Sequence, residues 1–290
     1  MGIEERILSE ALVKKRWAKE LASLYQGKCF DALVTEFKKL YGVVVTERYD
    51  AEPVKHPPTL LSHLILERWA LKHKNLYKNL TVLIVGSGGT QKTTYAVNSG
   101  ILALKRMGVD ERRIVDLFLC EGDTIVATVK KLLKERKWTP FVIFDDIGAI
   151  ISKYWIWLGE ARKWSFFFSV VDQMKDWCGV LIMTARSPES VPKRLREISD
   201  IVIYARESYV KGATMVLMEY YDATKYNFET LRGLLMLDLY PPNARMPDWL
   251  WREMVERRRE LGLKRLEEFE KESKKRKGEE DESEDGGGED

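Results

Sequence analysis

Apolar residues recur at helical spacing over residues 3 to 26, where Ile3, Ile7, Leu8, Ala11, Leu12, Leu21 and Leu24 are interleaved with Lys14, Lys15, Arg16 and Lys19. Spacings of three and four put them on one stripe, which predicts an amphipathic helix. A second helix is predicted over Phe30 to Tyr41, closed by Gly42 and followed by the strand-like Val43-Val44-Val45-Thr46. Pro53, Pro57 and Pro58 then break the pattern and set a boundary near 50 to 58. Two helices and a strand suit a winged-helix DNA reader or an accessory cap or oligomerisation arm. The lack of a third helix favours the accessory reading.

From residue 81 the texture becomes alternating β and α. Thr81 to Val85, Ile114 to Leu119, Phe141 to Phe144 and Val180 to Met183 are apolar but for Thr81 and Asp116, as strands buried on both faces tend to be. Between them, Thr93 to Met107, closed by Gly108, and Asp123 to Arg136, opened by an Asp cap, carry helical spacing. This alternation predicts a parallel sheet covered on both faces, with ligands at the carboxyl ends of its strands. Beyond Asp200, Ile201 to Ala205 and Thr214 to Tyr220 flank a turn containing Gly212 and read as a β-hairpin extending the sheet. Pro241, Pro242 and Pro247 precede a charged helix from Asp248 to about Lys277, and 278–290 is acidic, Gly-rich and expected to be disordered.

With 290 residues, 45% hydrophobic and 32% charged, the chain can bury a real core, so a disordered chain is excluded. Cys29, Cys120 and Cys178 lack paired spacing and read as buried free thiols. No apolar run approaches the roughly 18 residues that span a bilayer, and the N-terminus has no signal-peptide pattern, so the expectation is a cytoplasmic protein with no membrane partner. Only 8 Asn and Gln residues beside many charged ones lean toward a hot-growing source. The net charge of +3 conceals an asymmetry: 8 acidic residues fall after Lys277, leaving residues 1 to 278 with 48 basic against 37 acidic, a net of +11. Such a surplus suits DNA, and a solvated Lys- and Arg-rich helix gives the same sum.

Chemistry concentrates at two strand ends. Gly86, Ser87, Gly88, Gly89, Thr90, Gln91, Lys92, Thr93 and Thr94 lie between a buried strand and a helix, the setting of a Walker A loop. Backbone N–H groups there would cradle ATP phosphates, Lys92 would reach the β and γ oxygens, and Thr93 would ligate Mg²⁺. Gln91 stands where the pattern has glycine. Phe141-Val142-Ile143-Phe144-Asp145-Asp146 has the Walker B form, 53 residues after Lys92. Asp145 would hold Mg²⁺ and Asp146 would orient or deprotonate the attacking water; the alternative is that both acids cap the next helix. Thr184, ending the next strand, is the candidate γ-phosphate sensor, or a hydroxyl satisfied by its own turn. Arg186, Arg194 and Arg196 follow; Arg194 is the candidate catalytic finger acting in trans, within a homo-oligomer, or part of a solvated helix face. Aromatic residues from Tyr154 to Phe168 suit either base stacking or a packed core, the core being favoured. His56, His63 and His73 carry no metal-ligand spacing.

With these motifs the chain resembles the DnaA-like P-loop ATPases of crenarchaeal spindle-shaped viruses and related plasmids. The resemblance spans about 81 to 265 and rests on Lys92-Thr93-Thr94-Tyr95-Ala96, Ile143-Phe144-Asp145-Asp146, Lys153-Tyr154-Trp155, Gly179 to Thr184 with Ser187-Pro188, and Pro247-Asp248-Trp249 leading to Val255-Glu256-Arg257-Arg258. It implies an additional-strand, AAA+-like ATPase serving viral or plasmid DNA replication, with Lys92, Thr93, Asp145 and Asp146 in the roles above. The chain differs at Gln91, in having a hairpin where initiators have a helical lid, and in lacking a clear helix-turn-helix. The domain plan is a helical accessory region at 1–55, an α/β parallel-sheet P-loop core at 56–200, a β-hairpin extension at 201–247, a charged helix at 248–277 and a tail at 278–290. The alternatives are a DNA packaging or partition motor, whose Walker loop Gly88 to Thr94 resembles although Ser87 replaces its signature lysine, and a non-hydrolysing nucleotide-gated adaptor.

Overall fold

Leu80–Val85 has no polar position except Thr81 and forms the central strand β1, buried along its whole length. The structure, a computed structural model, describes residues 2–42, 58–76, 78–119, 122–150, 161–223 and 233–257, with 259, 260, 262, 263, 266 and 267. The strand-like 43–46, the boundary at 50–57, Cys120, the aromatic residues at 154–157, the end of the charged helix and the acidic tail lie outside the described residues. The chain divides into two units, 1–246 and 247–290; in the second, residues 248–257 are helical.

In the first unit, helices α1 (Ile3–Gln26), α2 (Phe30–Tyr41) and α3 (Leu60–His73) precede β1, and α4 (Lys92–Arg106) follows it. Next come α5 (Ile114–Leu117), β2 (Phe118–Leu119), α6 (Gly122–Glu135), β3 (Thr139–Phe144), α7 (Ile147–Ile150), α8 (Ala161–Trp177) and β4 (Cys178–Ala185). The unit ends with α9 (Lys193–Glu197), β5 (Ile201–Val210), β6 (Ala213–Asp222) and β7 (Leu234–Tyr240). The seven strands lie in the order β2-β3-β4-β1-β5-β6-β7, with β2, β3, β4, β1 and β5 parallel and β6 and β7 antiparallel. Strand β4 is thus inserted between β1 and β3, the two strands that carry the Walker motifs.

Three expectations need correction. Ile114 to Leu119 is not a strand: Asp110 accepts from the Arg112 N–H, a 3₁₀ turn follows, and Ile114–Leu117 continues as helix, leaving Phe118–Leu119 for β2. A short apolar run reads alike in either state, and the capped turn before it decides. Asp123 lies inside the first turn of α6 rather than capping it. The expected hairpin is present, β5 against β6, and extends the sheet through β5, which runs parallel beside β1; a further strand, β7, joins it. Cys178 is buried, with its thiol pushed up by desolvation, but Cys29 is exposed.

The first two helices pack on the outer strands. Leu21 and Ala22 of α1 and Leu33, Val34 and Phe37 of α2 form one apolar cluster with Ala213, Met215 and Leu217 of β6 and Leu237 and Leu239 of β7. Each such Leu or Phe contributes about 1.5–3 kcal/mol of burial. The Tyr41 hydroxyl donates to the Leu239 carbonyl at 2.9 Å, satisfying an acceptor of the edge strand. No helix among the described residues is long and apolar enough to cross a membrane.

Candidate nucleotide site

The turn from β1 into α4 is tight because two positions permit it. A Cβ on Gly86 would run into the carbonyl of Ala205 on β5, so only glycine lets the loop leave the sheet there. Gly89 takes φ +82°, where side chains are disfavoured. The Ser87 carbonyl then accepts from the Thr90 hydroxyl at 2.9 Å and the Lys92 ammonium at 2.8 Å, folding the loop on itself.

Gln91 occupies the left-handed region, φ +59° and ψ +16°, at a cost of roughly 1–2 kcal/mol for a residue with a Cβ. Its side chain does not fill the space in front of the loop. The amide turns away and donates to the Pro242 carbonyl at 2.8 Å, while its own carbonyl accepts from the Tyr95 N–H and starts the helix. Thus Gln91 ties the loop to the segment after β7.

Asp145 ends β3 and is 2% exposed. Its Oδ1 accepts the Thr93 hydroxyl at 2.7 Å and the Thr184 hydroxyl at 2.8 Å. Thr184 in turn accepts the N–H of Asp146 at 2.9 Å, so one buried hydroxyl on the inserted strand fixes both acids. Asp146 has φ +48° and lies 3.9 Å from the Arg186 guanidinium. Lys92 is held below the usual lysine range by burial; the carboxylates of Asp146 and Asp145 oppose that shift and Arg186 adds to it.

The structure therefore gathers Gly86, Ser87, Gly88, Gly89, Thr90, Lys92, Thr93, Asp145, Asp146, Thr184 and Arg186 at the carboxyl ends of β1, β3 and β4, with Thr94 on the first turn of α4. Arg194 is not among them. It sits on α9, where its guanidinium donates to Asp172 of α8 at 3.1 Å and lies over the Phe168 ring. Oxygen donors alone, a carboxylate and a hydroxyl 2.7 Å apart, fit a hard cation such as Mg²⁺. This is the strand, loop, helix and inserted strand of a P-loop NTPase fold.

A second polar cluster escaped sequence reasoning. Asp238 of β7, 1% exposed, accepts from the Lys14 ammonium at 3.0 Å, the Leu60 N–H at 2.5 Å and the Tyr95 hydroxyl at 2.8 Å. Tyr220 donates to Tyr95 at 2.6 Å, since the Tyr95 proton is already given to Asp238. Burial and the adjacent carboxylate push the Tyr95 phenol well up, keeping it a donor. The one local signal was an acid inside the apolar run Leu234 to Tyr240.

No family model matches the chain. It is similar to uncharacterized protein B-251 of Sulfolobus spindle-shape virus 1, at 25% identity over 202 residues, covering 65% of this chain and 77% of that protein. Among solved structures it is similar to the flagellar accessory protein FlaH of Methanocaldococcus jannaschii, at 15% identity, covering 51% of this chain and 82% of that one, with a TM-score of 0.33. The viral relative agrees with the viral part of the resemblance read from the motifs, and does not extend to its DnaA-like part.

Proposed function

We propose that the protein is a Mg²⁺-dependent ATPase that works on DNA in viral or plasmid replication, as an initiator or helicase loader. The observation that carries the ATPase reading is the Thr93-Asp145-Thr184 cluster beside Lys92, at the carboxyl end of the sheet. Loop N–H groups and the α4 N-terminus bind the phosphates, and Lys92 leaves the Ser87 carbonyl to reach them. Thr93 and Asp145 hold Mg²⁺, which when bound neutralises charge on the β and γ oxygens. Asp146 accepts the proton of the attacking water, and Thr184 keeps both carboxylates aimed. Arg186 is the arginine beside the site; Arg194, paired within its own chain, acts as a finger only across an interface between copies. The net charge of +11 over residues 1 to 278 supports a DNA partner, and a trans role for Arg194 requires a homo-oligomer.

The pairing of Arg186 with Asp146 favours one second reading, a nucleotide-gated adaptor whose base carboxylate faces a guanidinium 3.9 Å away. Phosphate release separates the two. The expected result is ATP turnover stimulated by single- or double-stranded DNA and reduced about 10²–10³-fold in Lys92→Ala. Tight ATP binding without turnover would leave the adaptor, and turnover indifferent to DNA would remove the replication role.

A further inference from the structure

Gln91, which caps the N-terminus of α4, and Tyr95 and Asn98 within the helix are all polar. Each bonds to β7 or to the segment just after it. Gln91 donates to the Pro242 carbonyl at 2.8 Å, Tyr95 to Asp238 at 2.8 Å, and Asn98 to the Tyr240 hydroxyl at 2.9 Å and the Arg245 carbonyl at 3.2 Å. Tyr95 and Asn98 are buried, at 0% and 4% exposure. Apolar contacts permit a helix to slide or turn slightly, whereas directional bonds along its length oblige both partners to move together. Gln91 is also the residue before Lys92, in a left-handed backbone that glycine would adopt freely. Its amide supplies an anchor where glycine would supply freedom.

We propose that Gln91 is a positioning residue of the phosphate loop, and that with Tyr95 and Asn98 it couples nucleotide in the loop to β7 and residues 240–246. The proposal rests on the nucleotide reading above. Loop occupancy draws Lys92 off the Ser87 carbonyl, and the movement passes through the Gln91 amide to the Pro242 carbonyl. A second copy of the chain is not required.

Amide hydrogen exchange with Mg²⁺ and a non-hydrolysable ATP analogue tests it on the full chain. In the wild type, exchange slows in peptides covering 86–95 and also in those covering 238–246. In Gln91→Gly, at saturating analogue so that occupancy matches, protection at 86–95 persists while the response at 238–246 falls at least threefold. The same variant shifts analogue Kd by about three- to tenfold, the range expected for one lost amide bond. Asn98→Ala reproduces the loss at 238–246; if it does not fold, Gln91→Gly decides alone. Protection at 86–95 with 238–246 unchanged in the wild type, or a Gln91→Gly response equal to wild type, overturns the coupling and leaves the nucleotide site standing. No protection at 86–95 in the wild type overturns the nucleotide reading and the coupling together.

Discussion

Helix α4 touches two buried aspartates that are alike in burial and opposite in surroundings. Asp145 takes a hydroxyl from Thr93, and Asp238 takes one from Tyr95, two residues further along. Asp238 is completed by the Lys14 ammonium and by a backbone N–H at the start of α3, so its charge is neutralised inside the fold. At Asp145 the hydroxyls on Oδ1 come from two threonines, Lys92 of the phosphate loop is a cation within electrostatic reach, and the carboxylate lies where parallel strands expose their ends. A buried acid finished by a cation from another element ties elements together. An acid held on one oxygen by two hydroxyls at a strand end, with the loop lysine nearby, stands where a ligand cation would meet it.

The strongest way to break this contrast is Asp238→Ala. It leaves Lys14, the Leu60 N–H and the Tyr95 hydroxyl without their acceptor, and is expected to lower stability by about 3–5 kcal/mol, measured by chemical denaturation. A loss below about 1 kcal/mol would remove the structural role assigned to the cluster. Thr184→Val probes the other aspartate. It strips one hydroxyl from Asp145 and the acceptor from the Asp146 N–H, costing about 1–2 kcal/mol in stability. Steady-state kinetics should show kcat falling more than KM changes; an equal fall in binding would make Thr184 a nucleotide contact instead.

The smallest effect sharpens the environment of Asp238. His63 of α3 is held below the ordinary histidine value by burial, against its bond to the Thr59 carbonyl, with Lys14 and Arg106 adding to the shift and Asp238 opposing it. The folded state therefore keeps the neutral ring, and the unfolded chain takes up the proton first. Stability from this residue is complete above about pH 6.5 and is lost as pH falls below that value. Melting temperatures between pH 7.5 and 5.5 should fall less steeply in His63→Gln than in the wild type. Equal slopes would assign the acid sensitivity to other groups.

What was legible in the sequence follows the same division. The phosphate loop and the two acids are written in short local patterns, glycines and Lys-Thr after one apolar run and paired carboxylates after another. The inserted position of β4 is written in no local pattern and was available only as what the resemblance to additional-strand ATPases implies. Asp238 has no such pattern, because Lys14 lies 224 residues away and only the folded sheet edge brings them together. The outward turn of Gln91 was equally hidden, since its partner is a backbone carbonyl at Pro242 and any residue there would offer the same atom. Strand β7 was missed because its Asp interrupts an otherwise plain apolar run between turn signals, and a buried charge argues against a strand until its partners are known.

The cover that α1 and α2 place over β7 also bears on solubility during heating. Strand β7 is the last strand on its side of the sheet, seven residues long and mostly apolar, and Tyr41 occupies one of its outward carbonyls. If α1 and α2 melt before the parallel strands do, they bare a ready template for strand addition by neighbouring chains. Aggregation would then begin with the loosening of the N-terminal helices, while the phosphate loop and its sheet were still intact.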